Sequence, residues 1–265
     1  MAASPTDILA ALQNAVVAIN ALNTTTSNVN TQFSNIDSGL KSINTQLAKG
    51  GLVGIQLLTS SSGTYTPTGG TRGAMLIAQA AGGGGGGHAN AAGEGNPGCG
   101  AAGETRLFPL SNITGTYPYA IGAFGGGAAP GNNPGGTAGD TTFGSPVLVT
   151  AKGGTGGGGS TGANTGADGT TPTGSGGILL PPTDLPSHFI ATGGKVGGST
   201  IFGVGGNIYS YWAWVIAASL STVITGQPGK GYGAGGCGSY KFTGTGGTGG
   251  GGAGAPGFIL VIEFG

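Results

Sequence analysis

The chain is 265 residues long; 65 of them are glycine, only 6% are charged, and the formal net charge is +0. With so little charge of either sign, no field exists to gather nucleic acid or an anionic membrane surface. Glycine that keeps no strict three-residue register, beside only 14 prolines, excludes collagen. The low charge and the recurring apolar segments also separate the chain from disordered glycine linkers.

Residues 6–49 differ in kind from everything after them. Apolar residues recur alternately three and four apart: Ile8, Leu12, Ala15, Ile19, Leu22, Val29, Phe33, Ile36, Leu40, Ile43 and Leu47, with Thr26 the one polar member. That spacing predicts a coiled-coil stalk of about 65 Å at ~1.5 Å per residue. Pro5, Thr6 and Asp7 supply a helix start, and Gly50–Gly51 a stop. Leu at a with Ile at d at the distal end points to three or more strands, so the seam residues Leu12, Ile19, Leu22, Val29, Phe33, Ile36, Leu40, Ile43 and Leu47 are the expected trimerisation set. Leu9, Val16 and Val17 add an apolar face beyond the seam, suited to docking on another protein. No cationic region followed by an apolar core opens the chain, so no secretory leader is expected.

From Leu52 onward short apolar segments alternate with glycine. Strands are expected at Val53–Thr59, Ala74–Ala80, Tyr117–Phe124, Val147–Ala151, Phe189–Thr192, Ile208–Ile216, Ser239–Thr243 and Phe258–Phe264. Glycine tracts separate them, the purest being Gly82–Gly87. The expected fold is therefore mostly β with glycine-rich tracts over 52–265, behind an N-terminal α-helical trimeric coiled coil over 1–51. Ordering glycine is costly in backbone entropy. Two packings could return that cost: polyglycine threefold helices exchanging main-chain hydrogen bonds, or glycine loops crowded near a trimer axis. The apolar stretch Ile208 to Ile224 is interrupted by Ser210, Ser219, Ser221 and Thr222 and lacks flanking charges, so no membrane insertion is expected.

The order of motifs over residues 58–265 resembles the glycine-rich domain at the distal end of bacteriophage tail fibres. The resemblance is carried by Gly63-Thr64-Tyr65-Thr66-Pro67 with the strand that runs into Gly82–Gly87, by Tyr117–Gly127, by Thr141–Ser145 followed by Val149–Gly154, and by Gly254–Phe264. It implies a homotrimeric virion protein of the tail fibre or tail tip, an adhesin that binds a bacterial surface glycan or outer-membrane protein. It also implies attachment to a tail or baseplate protein through the N-terminal region. Residues 177–190 and 201–227 depart from the family's glycine spacers.

Candidate recognition residues follow from chemistry. Both tryptophans lie in the run Tyr209, Tyr211, Trp212, Trp214; aromatic faces stack on sugars and anchor interfaces, although a buried strand accounts for the same run. The loop around Leu180, Pro182 and Asp184 is stiffened by three prolines. Catalysis is not expected: Glu94, Glu104, Asp140, Asp168 and Asp184 are scattered, whereas glycoside hydrolysis requires two positioned carboxyl groups. No cofactor or metal is expected either. His88 and His188 are isolated and read as surface or loop histidines, and Cys99 and Cys237 lack neighbouring ligands and read as free buried thiols whose pairing is open. Neither Gly194-Lys195 nor Gly229-Lys230 is followed by Ser or Thr, so no phosphate loop is present. Two other classes stay open beside the adhesin: a non-viral structural or ice-binding glycine protein, and a depolymerase of host polysaccharide.

Overall fold

The computed structural model describes residues 51–89, 95–161, 166–180, 196–207, 223–241 and 247–265, together with 31, 32, 34, 35, 37–39 and 41. The chain divides into two units, Met1–Ala48 and Lys49–Gly265.

In the first unit the described residues are helical. Ser38 donates its hydroxyl to the Ser34 carbonyl one turn back (2.8 Å), and exposed Asp37 and Lys41 pair at i,i+4 spacing (2.6 Å). This corrects the expected architecture. Among the described residues helix is confined to a short stretch within 31–41, strand predominates, and no N-terminal α-helical coiled coil is present. The physical reason lies between the seam positions, which are filled with Asn, Ser and Thr. Those side chains compete for backbone hydrogen bonds and contribute little helix propensity, so a regular seam alone does not make a long helix. Leu12, Ile19, Leu22, Val29, Phe33, Ile36, Leu40, Ile43 and Leu47 themselves lie outside the described residues.

The second unit begins as two facing antiparallel sheets. One contains β1 (Leu52–Leu58), β3 (Gly73–Gln79), β4 (Thr105–Ser111), β8 (Ile178–Leu180) and β13 (Phe258–Phe264), in the order β1-β13-β3-β4-β8. The other contains β2 (Ser62–Tyr65), β5 (Tyr117–Ala120), β6 (Thr141–Phe143) and β7 (Val149–Ala151), in chain order. Leu76, Ala78, Ile259 and Val261 of the first sheet meet Tyr65, Phe143 and Val149 of the second in one buried core. The rings of Tyr117 and Phe143 stack with centroids 5.5 Å apart. Two short ladders complete the unit: β9 (Gly203–Val204) with β11 (Lys230–Gly231), and β10 (Val223–Ile224) with β12 (Tyr240–Lys241).

β3, β5 and β7 run on as extended glycine tracts, and β4, β6, β12 and β13 are entered from such tracts. Tract 81–89 continues β3, and its partners change with a period of three. The amides of Gly82, Gly85 and His88 donate to Ala255, Gly252 and Gly249; those of Gly83 and Gly86 donate to Ala101 and Gly98; those of Gly84 and Gly87 donate to Gly136 and Asn133. Each series steps backward by three, so those three tracts run antiparallel to the first. The carbonyls of Gly82, Gly85 and His88 accept from Gly125, Ala128 and Gly131; Ala81, Gly84 and Gly87 accept from Gly154, Gly157 and Ser160; Gly83 and Gly86 accept from Gly236 and Ser239. These series step forward, so those tracts run parallel.

Tract 81–89 is thus the axis of a bundle, ringed by 249–257, 233–239, 95–104, 152–160, 133–139 and 122–131, with chain direction alternating around the ring. Each ring member also bonds to the next: Gly252 to Cys237, Gly100 to Gly236, Gly98 to Gly158, Gly135 to Gly157, Gly136 to Gly126 and Gly251 to Ala128. A threefold extended helix presents one residue to each of three directions per turn, and this arrangement uses all of them. Of the two packings expected, threefold helices are the one found, with six tracts of this chain enclosing the central one.

The glycine requirement is one of space rather than handedness. No residue from Gly82 to Gly87 has a positive φ, yet a Cβ on each would collide with a backbone carbonyl, at Ala234, Thr155, Gly126, Cys237, Gly158 and Ala129 in turn. An axis enclosed on every side has no open direction in which a side chain fits. Six consecutive glycines are the consequence.

Candidate functional site

The direction of the tracts decides what is displayed. At one end they merge into the sheets; at the other they give way to connections. Connections 90–94 and 242–246 span from one ring or axis tract to another, 162–165 leads from ring tract 152–160 to the outer segment that starts at Gly166, and Gly131–Asn133 turns tract 122–131 into 133–139. Segment 208–222 returns at Val223, which pairs with Lys241. Five connections therefore have roots at this end, although the three spans and 208–222 are themselves outside the described residues.

The roots converge on His88. Its amide donates to Gly249 (2.8 Å), and its carbonyl accepts from Gly131 (3.1 Å) and Gly249 (3.2 Å). Its imidazole Nδ1 lies 3.1 Å from the Ser160 hydroxyl. Beside it Gly95 and Lys241 exchange both main-chain bonds, at 3.1 and 3.0 Å. Gly95 fits there because a Cβ would enter the His88 ring. His88 is fully buried and its Nε2 has no hydrogen-bond partner among the described residues. Burial, and next the charge of Lys241, holds its imidazole below the usual histidine range. His88 is therefore no surface or loop histidine as expected, but the plug of the axial tract. The signal was present in the sequence, where His88 follows six glycines without a break.

Of the expected recognition residues, Tyr209, Tyr211, Trp212, Trp214, Pro182 and Asp184 lie outside the described residues. Leu180 is described, and it is not a loop residue. It ends β8, opposite Thr105, and is 9% exposed. Val196 and Asn207 pair with each other, so segments 181–195 and 208–222 end and begin side by side.

The described carboxylates are committed to holding the fold. Glu104 is buried, pairs with Arg106 (2.7 Å) and accepts from the amides of Lys152 and Gly174, both at 2.9 Å. Asp140 pairs with the Lys152 ammonium (2.6 Å), and Asp168 accepts from the Cys99 amide (2.8 Å). Folding does bring two scattered acids, Glu104 and Asp140, onto opposite ends of one lysine, which no sequence spacing disclosed. Glu94 and Asp184 are outside the described residues. Among the described residues no group of three or more His, Cys, Asp or Glu side chains could hold a metal ion, and no helix is long and apolar enough to cross a membrane. The chain matches no protein-family model and no curated protein.

Proposed function

We propose that the chain is a virion adhesin of a bacteriophage tail fibre or tail tip. In this reading the glycine bundle is a stiff scaffold, the connections at its far end engage a bacterial surface glycan or outer-membrane protein, and the N-terminal unit attaches to a tail or baseplate protein. The observation that carries the reading is the alternation of tract direction around the 81–89 axis, which delivers five connection roots to one end. The aromatic run Tyr209, Tyr211, Trp212 and Trp214 belongs to one of these connections. Aromatic and hydroxyl contacts suit a surface with so few charges, and many weak contacts per virion add up to firm attachment.

The ice-binding alternative calls for a regular rank of free threonine hydroxyls. The hydroxyl of Thr155 instead donates to the Thr170 carbonyl (3.0 Å) and accepts from the Thr170 amide (2.6 Å), while that of Thr137 accepts from the Gly156 amide (3.3 Å). Threonine here serves the main chain of adjacent tracts.

The test is binding of fluorescently labelled protein to a panel of bacterial strains, with and without Trp212→Ala and Trp214→Ala. A strain-restricted signal lost in the double variant, at unchanged thermal unfolding, supports adhesion. Absence of binding to every strain that the parent virion infects overturns it.

A further inference from the structure

We propose that Cys99 and Cys237 form a disulfide that staples two ring tracts of the glycine bundle. These are the only 2 cysteines of the chain. Both are buried, and they share one apolar cluster with Tyr240. Both sulfurs contact the main chain of one residue: the Gly238 amide donates to Cys99 Sγ at 3.3 Å, and Cys237 Sγ donates to the Gly238 carbonyl at 3.1 Å. The register sets them opposite each other. Gly100 donates to Gly236 (2.8 Å) and Gly103 to Gly233 (2.7 Å), which makes tracts 95–104 and 233–239 antiparallel neighbours. Hydrogen-bonded extended main chains run about 5 Å apart, inside the span of about 4.4–6.8 Å between Cα atoms that a disulfide bridges.

The chemistry is thiol–disulfide exchange with a low-molecular-weight disulfide as oxidant. One cysteine thiolate attacks a sulfur of the oxidant and releases one small thiolate. The second cysteine, its proton given to solvent, attacks the mixed disulfide and releases the other. Two protein thiols lose two hydrogens, and one small disulfide becomes two small thiols. Both sites are buried, so the exchange occurs as the tracts close or during a transient opening; once made, the bond is shielded from reductants. It fixes the spacing of the tracts that lead from connection 90–94 and into connection 242–246, after the chain has left a reducing cytoplasm.

The test is cell-free synthesis of the full chain in a buffer of oxidised and reduced glutathione, followed by alkylation in denaturant. The expected product is monomeric, takes up no alkylating reagent, yields a peptide linking positions 99 and 237, and unfolds at a lower temperature after reduction. Cys99→Ser and Cys237→Ser should each remove that sensitivity to reductant. A natively folded product whose two cysteines still alkylate, or carry glutathione, or join two chains, overturns the proposal.

Discussion

Tyr65 donates its hydroxyl to the carboxylate of Glu263 at 2.6 Å, joining β2 of one sheet to β13 of the other beneath the core. The carboxylate also accepts from the Thr68 hydroxyl (2.6 Å), the Thr68 amide (3.0 Å) and the Gln56 side chain (3.0 Å). Burial works to raise its pKa, but the bonds from Thr68, Tyr65 and Gln56 prevail and hold it below the usual carboxylate value of 4.5. Burial and the same carboxylate push the Tyr65 phenol above its ordinary range. A depressed folded pKa contributes stability that is complete above the unfolded value and is lost as pH falls through the folded one. Acid unfolding is therefore expected to steepen below pH 4.5. Tyr65→Phe should remove about 1.5–3 kcal/mol, the worth of a bond to a charged acceptor. Glu263→Gln should cost at least as much and flatten the acid limb. Denaturant melts of the three proteins across pH settle both.

Gly84 and Gly126 sit on neighbouring tracts and should respond oppositely to one added methyl group. At Gly84 it collides with the Gly126 carbonyl oxygen, whereas at Gly126 nothing lies within 4 Å. Main chain held by ring-wide hydrogen bonds cannot yield locally, so Gly84→Ala is expected to cost more than ~3 kcal/mol or to prevent folding, as severe overpacking does. Gly126→Ala should be neutral or stabilise by roughly 0.4–1 kcal/mol through the unfolded chain. Yield of folded protein and the denaturant midpoint separate the two.

Much of this architecture was legible. Segments such as Met75-Leu76-Ile77 and Phe258–Phe264 announce buried strands, and the two pair directly in the sheet. Polyglycine after an apolar strand announces main chain packed on main chain, but left threefold helices and loops crowded near a trimer axis as equal ways to do it. β4 escaped notice since Arg106 and Pro109 argue against a central strand. Arg106 is neutralised by buried Glu104. Pro109 is tolerated because β8 reaches only Thr105–Leu107, leaving that part of β4 an edge. The ring itself could not be read, since a period of three in glycine is silent about which tract each residue faces. In the N-terminal region the seam spacing was read as structure, although the residues between seam positions give a helix little support. The display end could be found only once the tract directions were known.

Two ion pairs on the same stretch of fold should contribute unequally. The Glu104 and Arg106 side chains are 1% and 6% exposed, and Asp140 and Lys152 are 38% and 37% exposed. Removing one partner of the buried pair strands a charge and also unsatisfies the amides of Lys152 and Gly174. Glu104→Ala is expected to destabilise by about 3–5 kcal/mol. Asp140→Ala breaks a solvated pair worth no more than about 1 kcal/mol. If both variants lose equal stability in matched urea melts, Glu104 is not the brace between tract 152–160 and β4.

His88 supplies the last test, at the end that bears the connections. Its imidazole is buried against the Ser160 hydroxyl and feels the charge of Lys241, so the neutral ring is favoured and the folded pKa lies below the ordinary histidine value of 6.5. The stability this contributes is complete above pH 6.5 and is lost as pH falls from there through the folded value, because the unfolded chain takes up the proton first. Unfolding free energy should therefore slope downward from neutral toward mildly acid pH in the parent protein, and less so in His88→Asn. His188→Asn serves as the control for the other histidine and should keep the slope. Amide exchange at Gly86 and Gly87 is expected to quicken over the same interval, since protonating a buried ring beside a lysine ammonium loosens the tract that it plugs. A slope that follows His188 instead, or exchange there that ignores pH beyond its intrinsic rate, places the acid-sensitive group elsewhere.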